Sequence, residues 1–294
     1  MSKSSKNESP FFEIEKIFFE ENKKLVSWKE WIFFSNSDES FWKAAKKNLP
    51  FDPRFNSVHW GFTVSSLCRQ IAFGYCWMEA YASEYRKRVR EGTQPANVDF
   101  RVSYFADNCI TRIASCRDKL ALMVWAFYCP FNPEKQVLNY YKVIEQLKYP
   151  LRFGLVLKKH DIFLRYLETL KGDDFDRIEK YRHYKIHRIE PRIEIYGSEP
   201  HHGWNYMFPL YEKKEIEEWE NELQSRCPDV EHRERIKRSS YIKGVVFDKR
   251  RINGSIWDYT EISNHIVTSM KKLLNASAGC FKTLRRRAPL RKSS

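Results

Sequence analysis

Two long apolar stripes of helical period, following one another in the chain, constrain this sequence more than anything else in it. Between 58 and 89, Val64, Leu67, Ile71, Tyr75, Met78, Ala82, Tyr85 and Val89 step by three or four. That spacing returns side chains to one face of a helix. Glu91-Gly92-Thr93-Gln94-Pro95 ends the run, with glycine and proline as breakers. A second run over 99–128 carries Val102, Phe105, Cys109, Ile113, Cys116, Leu120, Met123 and Phe127, and a second face of Ala114, Ala121, Leu122 and Trp125. A helix apolar on two faces is buried on two sides. Asp118 falls within that second face, where a carboxylate needs a cation or hydrogen-bond donors. Two roles suit it: a salt bridge that only supports structure, or orientation of a functional arginine.

The rest of the chain reads as shorter helices. Phe12, Phe18, Phe19, Leu25, Trp28, Trp31 and Ile32 predict one or two amphipathic helices ahead of the break at Pro50 and Pro53. Asn132-Pro133-Glu134 reads as a helix start, with Val137, Tyr140, Tyr141, Ile144 and Leu147 facing inward and Pro150 ending it. A helix over 153–170 stops at Lys171-Gly172, glycine being suited to a left-handed terminus. Asp173 or Asp174 then caps a helix with the stripe Phe175, Ile178, Arg182, Ile186 and Ile189, which Pro191 ends. Ile193 and Ile195 belong to a loop or a short extended piece, 212–224 to a charged helix, and 241–247 to a short strand. Thr260 caps a last helix with Ile262, Ile266, Met270 and Leu273. Seven or eight helices with almost no strand signal make the fold mainly α, an antiparallel helical bundle. The predicted divisions are an aromatic-rich helical extension over 1–50, a helical domain over 51–275, and a basic, disordered tail over 276–294.

Composition narrows the class of partner. A net charge of +14 favours anionic partners, nucleic acid ahead of a membrane surface. A membrane-surface role has only the aromatic N-terminus and the basic tail behind it, and no apolar run approaches the length that spans a bilayer. The seven cysteines form no CxxC pair and read as small buried apolar thiols. Their odd number and the polar start MSKSSKNESP point to a reducing, cytoplasmic compartment. The adjacent His201 and His202 point apart on any regular element, so no metal site and no cofactor are expected.

One segment carries chemistry: Tyr181-Arg182-His183-Tyr184-Lys185-Ile186-His187-Arg188. Arginine is a fixed cation for phosphate, and histidine moves protons near neutral pH. An arginine followed by histidine within six positions is a weak pattern, and Arg54/His59, Arg177/His183 and Arg226/His232 repeat it. Only Arg182 combines a polar next residue, a helical setting, a place in an apolar stripe and a helix end close behind.

The long paired helices, Arg117-Asp118-Lys119-Leu120 within the second of them, and the 181–188 segment together resemble the HEPN superfamily, and the Cthe_2314-like HEPN family in particular. The resemblance implies a HEPN-type bundle with additional flanking helices that dimerises and brings two Arg–His motifs together. It implies a metal-independent endoribonuclease of toxin–antitoxin or phage-defence systems, with RNA and an antitoxin protein as partners, or a module that binds RNA or a protein without cutting. The family motif falls on Arg182, His183 and His187. Many members carry Asn or Asp where His183 stands. Arg182 and His187 become the expected catalytic pair, His183 and Asp118 their support, and Lys185 and Arg188 further contacts to nucleic acid. On an ideal helix five positions rotate a side chain by about 140°. One phosphate can therefore meet both residues only if the helix frays before Pro191 or two subunits each supply one, and a homodimer is expected.

Overall fold

The computed structural model describes residues 10–46, 55–92, 98–128, 139–149, 161–187, 192–194, 213–233 and 256–287. Its long helices are α3 (Phe55–Arg90) and α4 (Val98–Tyr128), within a residue or three of the predicted spans. They run antiparallel. Trp60 meets Lys119, Cys68 meets Cys116, Gln70 meets Arg112 and Tyr81 meets Arg101, so one number falls as the other rises. Most of their stripes is buried, with Val64, Ile71 and Met78 on α3 and Val102, Ile113, Leu120 and Met123 on α4, while Val89 at the end of the α3 stripe is exposed. The last long helix, α9 (Tyr259–Arg287), runs antiparallel to α3 as well. Ser263 donates to Glu79 Oε1 at 2.6 Å near one end, and Phe281 abuts Gly61 near the other.

Two sets of shorter helices flank this core. The first set is α1 (Pro10–Val26) and α2 (Lys29–Ala45). Phe18 stacks on Trp77, and Phe41 on Phe281. The buried Asp38 accepts from Arg69 Nη2 and Trp42 Nε1, both at 2.6 Å. The second set is α5 (Tyr140–Lys148), α6 (Ile162–Glu168) and α7 (Asp173–His187). Trp125 of α4 donates to Gln146 of α5 at 2.7 Å, and the Tyr140 hydroxyl donates to the Leu167 carbonyl at 2.6 Å. A Cβ at Gly279 of α9 would overlap the Tyr166 ring of α6.

The fold is mainly α, a helical bundle with flanking helices, and several boundaries differ from those expected. α5 begins at Tyr140, and the helix start expected at Asn132 lies outside the described residues. Asn139 caps it by accepting the Lys142 N–H at 3.0 Å, and Asp118 of α4 accepts the Tyr140 N–H at 2.9 Å. Asp161 caps α6 through the Phe163 N–H, and the first part of the helix expected over 153–170 lies outside the described residues. The expected tail over 276–294 is helical to Arg287, because Ala276, Ala278, Cys280, Phe281 and Leu284 are buried and hold the chain on the bundle. The expected 51–275 domain is also divided: 1–182 with 260–294 form one compact unit and 183–259 another. In the second unit β1 (Arg192–Glu194) and β2 (Ile256–Asp258) pair in parallel, with Ile193 opposite Trp257. It also holds α8 (Lys213–Arg226). The strand expected over 241–247 lies outside the described residues.

Cys68, Cys76, Cys109, Cys116 and Cys280 are free and buried. Burial pushes the Cys76 thiol up to about 12, and holds Cys109 and Cys280 above the ordinary thiol range. Cys116 is raised by its contact with Cys68, 3.7 Å away across the α3–α4 interface, and by burial. Among the described residues no helix is long and apolar enough to cross a membrane, and no group of three or more His, Cys, Asp or Glu side chains is placed to hold a metal ion.

Candidate functional site

Helix α7 owes its start to Gly172, whose φ of +110° lies where a side chain is strained. The Gly172 carbonyl accepts from the Phe175 and Asp176 N–H groups. Asp173, Asp174 and Asp176 fill the first turn, where the helix dipole favours negative charge. Asp174 then ties α7 to α9, accepting from Lys272 Nζ at 2.7 Å and meeting His265 Nδ1 at 3.1 Å.

The buried stripe of α7 is Phe175, Ile178 and Tyr181. Arg182 was expected in that stripe, and Tyr181 takes the place instead. The Tyr181 ring is apolar, and its hydroxyl donates to Asp107 Oδ1 at 2.6 Å, so burial leaves it satisfied. Arg182 sits beside it with its side chain 34% exposed. Its Nε is buried without a hydrogen-bond partner among the described residues, while Nη1 lies 3.7 Å from Glu179 Oε2.

The other oxygen of Glu179 holds a second arginine. Arg117 of α4 is only 2% exposed, and its Nη2 donates to Glu179 Oε1 at 2.5 Å. Its guanidinium carbon lies 4.7 Å from the centre of the Tyr140 ring, 5.1 Å from Tyr141 and 5.3 Å from Phe175. Aromatic faces attract a cation, more strongly when water is excluded. Nε and Nη1 of Arg117 have no hydrogen-bond partner among the described residues. One carboxylate thus serves two guanidinium groups, one in the core and one at the surface. The three side chains together keep one positive charge in excess; Arg117 is buried, while Glu179 and Arg182 both meet solvent.

The placement of the remaining candidates follows. Asp118 does not have Arg182 as the partner shown for it; it accepts the first N–H of α5. Glu179, three positions ahead on the same helix, has the place beside Arg182 that Asp118 was considered for. His183, Lys185 and His187 belong to α7, but their side chains lie outside the described residues, as does Arg188 altogether. Arg117 and Glu179 were missed, although both carried a signal. Position 117 is four after Ile113 and three before Leu120, inside the α4 stripe. Glu179 precedes Arg182 at the ion-pair spacing of a helix. Among the competing Arg–His pairs, Arg226 is paired with Glu222 at 2.6 Å and is 77% exposed, an ordinary solvated contact. Arg54 lies outside the described residues.

With the α3–α4 pair and the α7 arginine in place, the comparisons can be read. A family model, that of the Cthe_2314-like HEPN family, matches residues 77–242, more than half of the chain. The chain belongs to the Cthe_2314-like HEPN family. The matched stretch contains Arg117, Asp118, Glu179, Arg182 and His187. At the coarse level of domain class, membership supports an RNA-related or nuclease role for this HEPN protein. No curated protein and no solved structure matched.

Proposed function

We propose that this HEPN protein is a metal-independent endoribonuclease that cleaves RNA through its own 2′-hydroxyl. The observation that carries the reading is Arg182: a surface guanidinium at the motif position, held from below by a carboxylate it shares with a buried second arginine. RNA supplies the nucleophile. The 2′-oxygen attacks the adjacent phosphorus and gives its proton to a base, and the bond to the 5′-oxygen breaks as that oxygen takes up a proton. The products are a 2′,3′-cyclic phosphate and a 5′-hydroxyl. His187 is the proton carrier, and Arg182 pairs with the non-bridging oxygens as charge builds on them. His183 supports the pair, and Lys185 and Arg188 are further contacts to RNA. Because α7 continues through His187, fraying ahead of that residue does not bring the pair together. A homodimer in which Arg182 and His187 of different subunits share one phosphate answers the geometry. The setting is toxin–antitoxin or phage defence in the cytoplasm, with an antitoxin protein as partner.

The test is purified protein with RNA in EDTA, with products resolved by end-group chemistry. Arg182→Ala is expected to lower the rate by about a hundredfold or more, and His187→Ala by about 10²–10⁴-fold. Cleavage that survives both changes removes the mechanism. The Glu179 contact favours one second reading, a non-catalytic RNA-binding module in which Arg182 serves the fold. That reading predicts salt-dependent RNA affinity with no products at all.

A further inference from the structure

A groove of about 460 Å³ lies between α3 and α4, lined by residues of those two helices. Gly74 forms its floor: a Cβ there would stand 3.0 Å from Cys109 Sγ, so glycine lets the helices close. Phe73 and Tyr104 line it, with 57% and 54% of their surfaces exposed. Single exposed aromatics are ordinary on a protein surface, but two bordering one concavity offer faces on which a planar ring can stack.

The polar groups of the groove are held and lopsided in charge. Arg112 donates from Nε to Gln70 Oε1 at 2.8 Å and from Nη1 to Asn108. Both partners are neutral, so the plane of the guanidinium is held while its charge stays uncompensated. Gln70 is oriented in turn by Ser66, at 3.0 Å, and Asn108 by the Tyr104 carbonyl, at 3.0 Å. Arg69 also lines the groove but is neutralised by Asp38. Among the described residues no carboxylate lines it. Aromatic faces, fixed amide edges and one uncompensated arginine match a base joined to a phosphate. The stacking faces suit unpaired bases, because a duplex hides the faces of its own.

We propose that the α3–α4 groove holds a segment of single-stranded RNA, with bases on Phe73 and Tyr104 and a phosphate on Arg112. The proposal rests on the RNA reading above for its choice of nucleic acid, and it adds a substrate-holding surface separate from the Arg182–His187 chemistry.

The experiment measures fluorescence anisotropy of a labelled single-stranded oligoribonucleotide. Its 2′-positions are O-methylated, so binding is read without cleavage. The full chain is titrated across a range of salt. Phe73→Ala and Tyr104→Ala are each expected to weaken binding about tenfold with an unchanged salt slope. Tyr104→Phe is expected to restore the affinity. Arg112→Gln is expected to lower the log–log salt slope by about 0.7, the value for one phosphate of a single strand. No binding by the unaltered protein, or variants that bind as it does, overturns the groove. So does a shift of the variants from dimer to monomer in sedimentation with RNA affinity unchanged, which makes the groove a contact between copies. Variants that bind normally in a protein that still cleaves RNA overturn the groove alone. Groove-dependent binding with no cleavage of unmodified RNA overturns the nuclease reading and leaves the groove standing.

Discussion

A buried arginine is costly unless its charge is met, and Arg117 meets it with one carboxylate oxygen and three aromatic rings. Removing the two ends of this pair has unequal consequences. Glu179→Ala leaves Arg117 charged in the core with only the rings around it. The cost is expected at about 3 kcal/mol, the range seen when one member of a buried pair is deleted. Arg117→Met removes the buried charge itself and leaves an apolar side chain that the rings can pack on. Glu179 then still has Arg182 and some solvent, and the cost is expected at about 1 kcal/mol. Urea unfolding of the two variants checks the order; equal losses, or a greater loss for Arg117→Met, would sink this account of the pair. The order also bears on legibility. Arg182 could be singled out because helical position and a polar neighbour are local properties. Its Glu179 contact was readable from spacing, but the tie from Glu179 to Arg117 crosses 62 positions and has no local signature. Asp118 was the more conspicuous residue because carboxylates stand out on an apolar face. Its solution was a backbone N–H in another helix, which no reading of side-chain types reveals.

Among the elements, long helices were legible and short ones were not. α3 and α4 are 36 and 31 residues long, and their apolar stripes repeat over about seven turns each, so a single exception does not hide the period. α5 spans nine residues, and its start depends on Asp118 as well as on Asn139. The Asp118 contribution comes from another helix and has no signature in the local sequence. The strands pair residues 192–194 with 256–258, too few and too distant in sequence for alternation to show. The attachment of α7 to α9 is a further nonlocal feature, and it has a measurable pH dependence. Partial burial pushes the Asp174 carboxyl up, but hydrogen bonds from Lys272 and His265, with their charge, outweigh it and hold the group below its usual value. A carboxylate depressed in the native state stabilises the fold fully above the ordinary carboxylate range. That contribution fades as pH falls through the depressed value. Asp174→Asn is accordingly expected to cost about 1 kcal/mol at neutral pH, and less and less below about pH 4. Thermal unfolding of both proteins from pH 3 to pH 7 reads the difference. A cost that stays constant across that range would assign the effect to packing and not to the ion pair.

For the whole molecule, the unresolved choice between one subunit and two becomes a matter of which residues share a site. Positions 182 and 187 of one α7 lie about 140° apart around an ideal helix axis. The proposed two-fold dimer avoids that difficulty by pairing Arg182 of one copy with His187 of the other, and two-fold symmetry then builds two such sites. This arrangement can be separated from one in which each subunit carries its own site. Arg182→Ala and His187→Ala proteins are each expected to be nearly inactive alone, about a hundredfold or more slower, since every site lacks one member. Mixed and allowed to exchange subunits, they form hybrid dimers. In a hybrid with shared sites, the intact Arg182 of one subunit faces the intact His187 of the other, so one site is complete and the second lacks both. Random exchange makes half the dimers hybrid, each with one of two sites, so activity is expected to return to about a quarter of that of the unaltered protein. If each subunit carries its own site, every site in the mixture still lacks Arg182 or His187, and activity stays as low as in the variants alone. A mixture that stays that low after exchange has been verified by mass-tagged subunits would therefore refute the shared site. Cleavage by the unaltered protein would still leave Arg182 and His187 as the pair to explain.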